Sequence, residues 1–181
     1  MEFLKNHLEW VKSKIINGFD KKSFKAGDIV SIVGIERTIV LKEAVRRFNE
    51  INDNEIVIYG NEDKIHNEII KIAKSEFIKY SYKKALEFAK ILGVNFNQIT
   101  IKKMKSRLGS CSSKKNVNLN LKLAFAPLFV SDMVIAHEIC HLKHMNHGKD
   151  FKNELQRLYP LTDEAEVWLK NNGKSLNLIN L

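Results

Sequence analysis

Two histidines and a glutamate in the run His137-Glu138-Ile139-Cys140-His141 form the strongest chemical pattern of this 181-residue chain. On a helix with 3.6 residues per turn, residues four apart lie about 40° apart, so the His137 and His141 rings project from one face. This geometry suits two imidazole ligands on one zinc ion. Glu138 lies about 100° from His137, where its carboxylate can reach a water on the metal without binding the metal itself. The H-E-x-x-H run therefore predicts a metal site with a carboxylate beside it.

A catalytic zinc takes three protein ligands and leaves one position for water, so a third ligand must come from elsewhere. His147 lies six residues beyond His141 and would point away, about 240° round, if the helix continued. It can reach the metal only where the helix stops and the chain turns back, and Asn146 and Gly148 are residues that accept such a turn. His144 is the alternative third ligand, because it lies near the same helix face as His141. Its other expected roles are a substrate contact or an exposed histidine.

Two further possibilities concern the type of site. The histidine spacing equals that of metzincins, but His144 stands where that pattern has Gly and no Met follows Met145, so a metzincin is not expected. Cys111 as a fourth, thiolate ligand would close the site and make it structural. Cys140, inside the motif, is expected to be a small buried packing residue. We expect one zinc ion per chain.

The elements that must position these residues follow from apolar spacing and turn residues. Strands followed by helices predict an α+β fold, with a short, mainly antiparallel sheet packed on helices that include the motif helix. The chain is predicted to form one domain over 1–181, with an N-terminal helix and hairpin in 1–60 and the core in 61–181. The predicted elements are a helix over Glu2–Ile16, a hairpin over Ile29–Leu41 around Gly34, a strand over Glu55–Tyr59, a helix over Glu62–Leu92 closed by Gly93, strands over Gln98–Lys105 and Asn116–Leu123 with Gly109-Ser110 between them, and helices over about Pro127–Lys143, Lys149–Tyr159 and Thr162–Asn171.

The net charge of +9 is concentrated in one segment. Residues 88–131 contain no acid and eight bases, which makes them either a solvated face or an anion-attracting surface. The longest nearly uninterrupted apolar run, Leu123–Val130, is too short to cross a bilayer, so no membrane partner is expected. Two cysteines are too few for a disulfide scaffold and favour reduced thiols in a cytoplasmic protein. The eight bases are Lys90, Lys102, Lys103, Lys105, Arg107, Lys114, Lys115 and Lys122.

Three segments together resemble the YgjP-like metallopeptidase domain family, a zincin-type group similar to SprT-like metalloproteases. They are Arg107-Leu108-Gly109-Ser110-Cys111-Ser112-Ser113, Asn116–Pro127 and His137–Phe151. The resemblance implies a small zincin-like domain, a zinc ion held by His137, His141 and His147, and Glu138 as general base. The chain departs from the family in having Leu108 where Trp is usual, and in beginning almost at the helix that carries Trp10.

The resemblance also implies which residues border the cleft. The tract at Gly109–Cys111 and the strand at Asn116–Leu123 would form its wall, and the free edge of that strand would pair with an extended peptide. The candidate oxyanion stabilisers are Arg107, His144 and Tyr159. The predicted substrate contacts are Arg107, Ser110, Asn118, Asn120 and His144.

The leading hypothesis for function is a zinc metallopeptidase, in which Glu138 takes a proton from a zinc-activated water. Some family members are described as nucleotide pyrophosphatases, and the basic tract 88–131 would suit a nucleoside triphosphate, although no phosphate-binding P-loop is present. A third hypothesis is a DNA-associated, SprT-like protease that contacts nucleic acid through the same tract. The expected partners are therefore a peptide or nucleotide substrate, with nucleic acid as an alternative.

Overall fold

The computed structural model describes residues 23–43 and 48–181, so the helix predicted over Glu2–Ile16 lies outside the described residues. The described chain has four α-helices and two small sheets. Its elements are β1 (Ile29–Ile32), β2 (Ile35–Lys42), β3 (Glu50–Ile51), β4 (Glu55–Tyr59), α1 (Glu62–Leu92), β5 (Gln98–Lys102), β6 (Gly109–Cys111), β7 (Asn116–Asn120), a 3₁₀ helix (Leu121–Phe125), α2 (Leu128–Cys140), α3 (Lys149–Leu158), α4 (Thr162–Asn172) and a second 3₁₀ helix (Ser175–Asn177).

The first sheet has the strand order β1-β2-β4-β3. β1 and β2 form the predicted hairpin, and its turn requires positive φ at Val33 (52°) and Gly34 (72°). β2 and β4 pair in parallel, whereas β3 and β4 are antiparallel. The backbone N–H of Val33 donates to the carbonyl of Ala124 at 2.8 Å. This bond attaches the hairpin to the segment that leads into α2, the helix of the H-E-x-x-H motif.

Helix α1 spans 31 residues, or about 46 Å, and is the longest element that packs in the core. Its apolar residues recur at helical spacing, and those of one face are buried. It ends at Gly93, whose φ of 65° is the left-handed conformation that closes many helices. Both of its boundaries agree with the prediction from the sequence. Ten of its residues are buried: Ile65, Ile69, Ile70, Ala73, Phe77, Ser81, Ala85, Phe88, Ala89 and Leu92.

The second sheet has the order β5-β7-β6, so β7 is its central strand. β5 pairs with β7 in parallel and β6 pairs with β7 antiparallel. The prediction that the Asn116–Leu123 strand offers a free edge is therefore wrong, because both of its edges are occupied. The segment at Gly109-Ser110, which the prediction placed between two strands, belongs to strand β6, and it lies at the edge of the sheet.

The α+β class is confirmed, and the second sheet packs on the motif helix through β6 and β7. Three of the five strand pairings are antiparallel, and the sequence did not indicate the two parallel pairings or the division into two sheets. Helix α2 lies in the core, and Cys140 is fully buried there as a free thiol. No helix of the described residues is long and apolar enough to cross a membrane.

Candidate metal centre

The C-terminal end of α2 and the loop that follows it bring three imidazoles together. Helix α2 ends at Cys140, and three successive backbone bonds then tighten the chain into a turn, the last from the N–H of His144 to the carbonyl of Cys140 at 2.9 Å. The chain turns back so that Nε2 of His147 lies 2.9 Å from Nε2 of His137. The ligand atoms of His137, His141 and His147 all lie within 4.8 Å of one another. Within the described residues no other group of three or more such side chains could hold a metal ion.

The three rings rest on one aromatic side chain that the sequence analysis did not identify as part of the site. Phe151, in the first turn of α3, is buried, and its ring centroid lies 4.9 Å from that of His137, 4.7 Å from that of His141 and 4.8 Å from that of His147. Burial lowers the pKa of His137 to about 4 and lowers the pKa of His141 as well. These two imidazoles are therefore neutral near pH 7 and have a free lone pair for a metal ion.

The orientation of His141 is set by the backbone of His144. Nδ1 of His141 lies 3.0 Å from the carbonyl oxygen of His144, so Nδ1 donates its proton and the lone pair of Nε2 is left free for a metal ion. The side chain of His144 points elsewhere: its Nε2 lies 3.5 Å from Oε2 of Glu154. The imidazole of His144 lines a separate surface cavity rather than the cleft at the three histidines. The predicted substrate contact at His144 is therefore not supported, and its part in the site is through its carbonyl.

Glu154 of α3 holds the connecting loop in place. Its carboxylate accepts a hydrogen bond from Nζ of Lys143 at 2.7 Å and pairs with Arg157. These bonds hold the pKa of Glu154 well below its usual range, at about 2. Lys143 belongs to the turn after α2, and Arg157 belongs to α3. The ion pair of Lys143 with Glu154 therefore joins the loop that carries His147 to α3, the helix that carries Phe151.

Glu138 lies beside the three histidines with its carboxyl group largely removed from solvent. Glu138 is 5% exposed, and burial raises its pKa to about 7, partly offset by the positive charge of Arg107. Oε2 of Glu138 is the one buried side-chain nitrogen or oxygen of the described residues without a hydrogen-bond partner. Since buried polar groups are normally paired, this atom marks a place where a further polar group belongs.

Strand β6 forms the wall next to Glu138. A Cβ on Gly109 would lie 2.7 Å from Cγ and 2.8 Å from Cδ of Glu138, closer than carbon atoms approach. Only a glycine lets the strand pass so near the carboxyl group. The cleft between β6 and the motif has a volume of about 310 Å³. Its lining consists of Arg107, Gly109, Ser110, Cys111, His137, Glu138, His141, Met145 and His147.

The remaining predicted contacts divide into those in the cleft and those outside it. Arg107 and Ser110 line the cleft, and Asn118 donates from Nδ2 to Oγ of Ser110 at 3.2 Å. Asn120 is 1% exposed, and its Nδ2 donates to the carbonyls of Met104 at 2.9 Å and Arg107 at 2.7 Å. The structure places Asn120 in the core, where it holds the β5–β6 connection, so the predicted substrate contact at Asn120 is wrong.

The structure also shows the surroundings of two other candidate residues, Cys111 and Tyr159. Cys111 lines the cleft, but it is not part of the cluster of ligand atoms, and burial raises the pKa of its thiol to about 11. Tyr159, a candidate oxyanion stabiliser, packs edge-on against Phe88 at 6.1 Å and does not line the cleft. Of the eight bases in 88–131, all of them within the described part of the chain, Arg107 is the one that lines the cleft.

Three converging imidazoles and a buried, unpaired carboxyl group in one cleft are typical of metal-dependent hydrolases. The chain belongs to the YgjP-like metallopeptidase domain family, whose model matches residues 1–172. The family resemblance in the sequence is thereby confirmed; it is a metallopeptidase family, which implies a divalent metal, typically zinc, and a peptide substrate.

Two solved structures are similar to parts of the chain. The metallopeptidase zymogen jannalysin of Methanocaldococcus jannaschii is 30% identical, with 50% of this chain and 88% of that chain covered and a TM-score of 0.45. The metallopeptidase zymogen abylysin of Pyrococcus abyssi is 18% identical, with 50% of this chain and 93% of that chain covered and a TM-score of 0.45. No curated protein matches the chain significantly.

Proposed function

We propose that this chain is a zinc-dependent peptide-bond hydrolase, with one zinc ion held by His137, His141 and His147 and with Glu138 as general base. The observation that carries the proposal is the unpaired, buried Oε2 of Glu138 next to three converged imidazoles. A structural zinc site would have four protein ligands and no need for a buried carboxylate beside it.

The residues fit the metal by their chemistry. Neutral imidazoles are good zinc ligands, and the bond from His141 to the carbonyl of His144 fixes which nitrogen faces the centre. When bound, zinc polarises a carbonyl group and lowers the pKa of water towards 7. Oε2 of Glu138 would then accept a proton from the attacking water and donate it to the nitrogen of the leaving amine. The buried setting of Glu138 keeps bulk water from competing for that proton.

Strand β6 offers the backbone groups to which an extended peptide would bind. The carbonyl of Leu108 accepts from the N–H of Asn120 at 2.8 Å, and the N–H of Ser112 donates to the carbonyl of Asn116 at 3.0 Å. Residues 108, 110 and 112 thus direct their backbone groups towards β7. By the alternation of an antiparallel pair, Gly109 and Cys111 direct their N–H and C=O groups to the free edge, beside Glu138. A substrate would therefore extend the sheet at β6 rather than at β7.

The distribution of charge favours a peptide over a nucleotide as the substrate. A triphosphate needs several cationic groups around it, and Arg107 alone of the basic tract lines the cleft. Arg107 suits a single negative charge, such as a developing oxyanion or a substrate carboxylate. We propose it as the residue that stabilises that charge, in preference to His144 and Tyr159, which lie outside the cleft.

The substrate class can be tested with the purified, zinc-loaded chain. It should be incubated separately with an unstructured protein and with a panel of nucleoside triphosphates, with and without a chelator. We expect fragments of the protein by mass spectrometry, loss of cleavage with the chelator and recovery on adding zinc. Release of phosphate or pyrophosphate from nucleotides, with the protein left intact, would contradict the proposal.

The ligand set can be tested with two histidine variants. His147→Ala should weaken zinc binding by about 100-fold or more, because it removes one of three ligands, as measured by competition with a chromophoric chelator. His144→Ala is the matched control, since it removes a nearby imidazole and keeps the carbonyl that orients His141. It should bind zinc within a few-fold of the parent. The reverse ranking would make His144 the third ligand.

A further inference from the structure

A second cavity opens on the metal site from the side of α3 and α4. Its volume is about 220 Å³, and it shares His137 and His147 with the cleft at β6. Its floor is apolar, because Phe151 and Leu155 of α3 are buried there. The rest of its lining is polar: Lys152, Gln156, Thr162, Asp163 and Glu166. His137 and His147 therefore lie between two cavities of different chemistry.

The polar part of this cavity is acidic, although the chain as a whole carries +9. The two carboxylates of Asp163 and Glu166 outweigh the single ammonium group of Lys152. Within residues 23–43 and 48–181, neither carboxylate forms an ion pair. Both acids are exposed, so both are available to a cation that enters the cavity.

Stabilisation of the helix end does not explain both acids. Asp163 and Glu164 lie in the first turn of α4, where a negative charge interacts favourably with the helix dipole. Glu166 lies beyond that turn, yet it lines the cavity, whereas Glu164 does not. What Asp163 and Glu166 share is therefore their place in the cavity beside the metal site, and not a place in the first turn of the helix.

We propose that this cavity receives a substrate side chain with an apolar stem and a cationic end, lysine or arginine, next to the scissile bond. The stem would pack on Phe151 and Leu155, and the cation would lie between Asp163 and Glu166. Arg107 lines the cleft at β6 and would repel the same cation from that side of the site. The peptide would therefore bind with its basic side chain in the second cavity. This inference rests on the proposed function and names the substrate class of the same site.

The test uses quenched fluorescent peptides that are identical except for lysine, arginine, leucine or glutamate at one position, scanned across both sides of the cleaved bond. For the zinc-loaded parent we expect kcat/KM to be about tenfold higher for lysine or arginine than for leucine at one position, and lowest for glutamate. The double variant Asp163→Asn, Glu166→Gln should lose about five- to tenfold for the basic peptides, since each partly exposed charge contributes modestly. Its loss on the leucine peptide should be several-fold smaller than its loss on the basic peptides.

Two matched variants separate the cavity from general charge effects. Glu164→Gln removes one negative charge from the same helix outside the cavity, and it should leave the preference for basic peptides unchanged. Lys152→Gln removes the competing cation, and it should raise that preference by about two- to threefold. An equal loss in Glu164→Gln and in the double variant would overturn the proposal, as would a parent without preference.

Binding measured without turnover distinguishes the cavity from the hydrolysis. Fluorescence anisotropy with the zinc-loaded Glu138→Gln variant should rank the labelled peptides in the same order, and the two charge-removing substitutions in the cavity should flatten that order. Equal affinities for lysine and glutamate peptides would overturn the proposal even if the parent cleaves both. Charge-selective binding with no cleavage by the parent would instead contradict the proposed function.

Discussion

Each of the two sheets contacts α2 at a glycine, but one glycine lies against an apolar side chain and the other against a carboxyl group. At the first sheet, a Cβ on Gly34 would lie 2.7 Å from Cδ1 of Leu128, the first residue of α2. At the second sheet, a Cβ on Gly109 would lie 2.8 Å from Cδ of Glu138, near the other end of α2. The first contact is apolar packing, whereas the second is packing against the carboxyl group of the site.

The central strands of the two sheets differ in the same way. In β4, Ile56, Val57 and Ile58 are all buried, as expected for a strand covered on both faces. In β7, asparagines alternate with Val117 and Leu119, and the amide of Asn120 holds the chain that leads to β6. The first sheet therefore meets the start of α2 at the Gly34 turn, and the second sheet places a cleft wall against its other end. Changes in the first should affect the free energy of unfolding, and changes in the second should affect catalysis.

The largest expected effect on catalysis is that of Glu138→Gln. Glutamine is similar in size but cannot take the proton of the attacking water, so kcat should fall by about 10³-fold, or roughly 4 kcal/mol. Zinc content, measured by inductively coupled plasma mass spectrometry, should stay at the parent's level. Loss of the metal would make Glu138 a ligand, and retained activity would remove its role as base.

Ile58→Ala is the corresponding change in the first sheet. Ile58 is fully buried, and its truncation leaves a cavity in the core, which should lower the free energy of unfolding by about 3 kcal/mol. Urea titration followed by circular dichroism measures this loss. Under conditions in which the variant is folded, its zinc affinity and kcat should match those of the parent. A large fall in kcat in the folded variant would break the division between the two sheets.

The smallest effect, and the sharpest comparison, comes from the two glycines. Gly109→Ala should displace the side chain of Glu138 and lower kcat by about 30-fold, roughly 2 kcal/mol, with zinc retained. Gly34→Ala should instead destabilise the protein by about 2 kcal/mol, because it crowds Leu128 and strains a turn with φ of 72°. Parallel urea titrations and peptide assays compare the two. Similar losses of kcat in both folded variants would contradict the comparison.

Much of the fold could be predicted because local rules and tertiary packing agree. The bounds of α1 follow from apolar spacing and a glycine in the left-handed conformation at 93, and β4 follows from a run of β-branched residues before Gly60. Strand β6 was missed, since Gly109-Ser110-Cys111 has the composition of a turn. Only its pairing with β7 makes it a strand, and such long-range pairing leaves no local pattern in the sequence.

The site shows the same limit. The convergence of His137, His141 and His147 was predictable, because helical spacing and the residues after α2 define it locally. Asn120 was predicted as a substrate contact, but it ends β7, caps the 3₁₀ helix that begins at Leu121 and is buried there. The support of the three rings by Phe151 depends on how α3 packs, and only the tertiary structure reveals it.

The shortness of β6 bears on which proteins could serve as substrates. A strand of three residues, two of which direct their backbone groups outward, forms few hydrogen bonds with a guest peptide. Such an edge cannot draw a strand out of a folded sheet, where the backbone is already paired. A folded protein would therefore be cut in proportion to how often a segment opens locally, so that conformational stability, more than sequence, would decide which chains survive exposure to this enzyme.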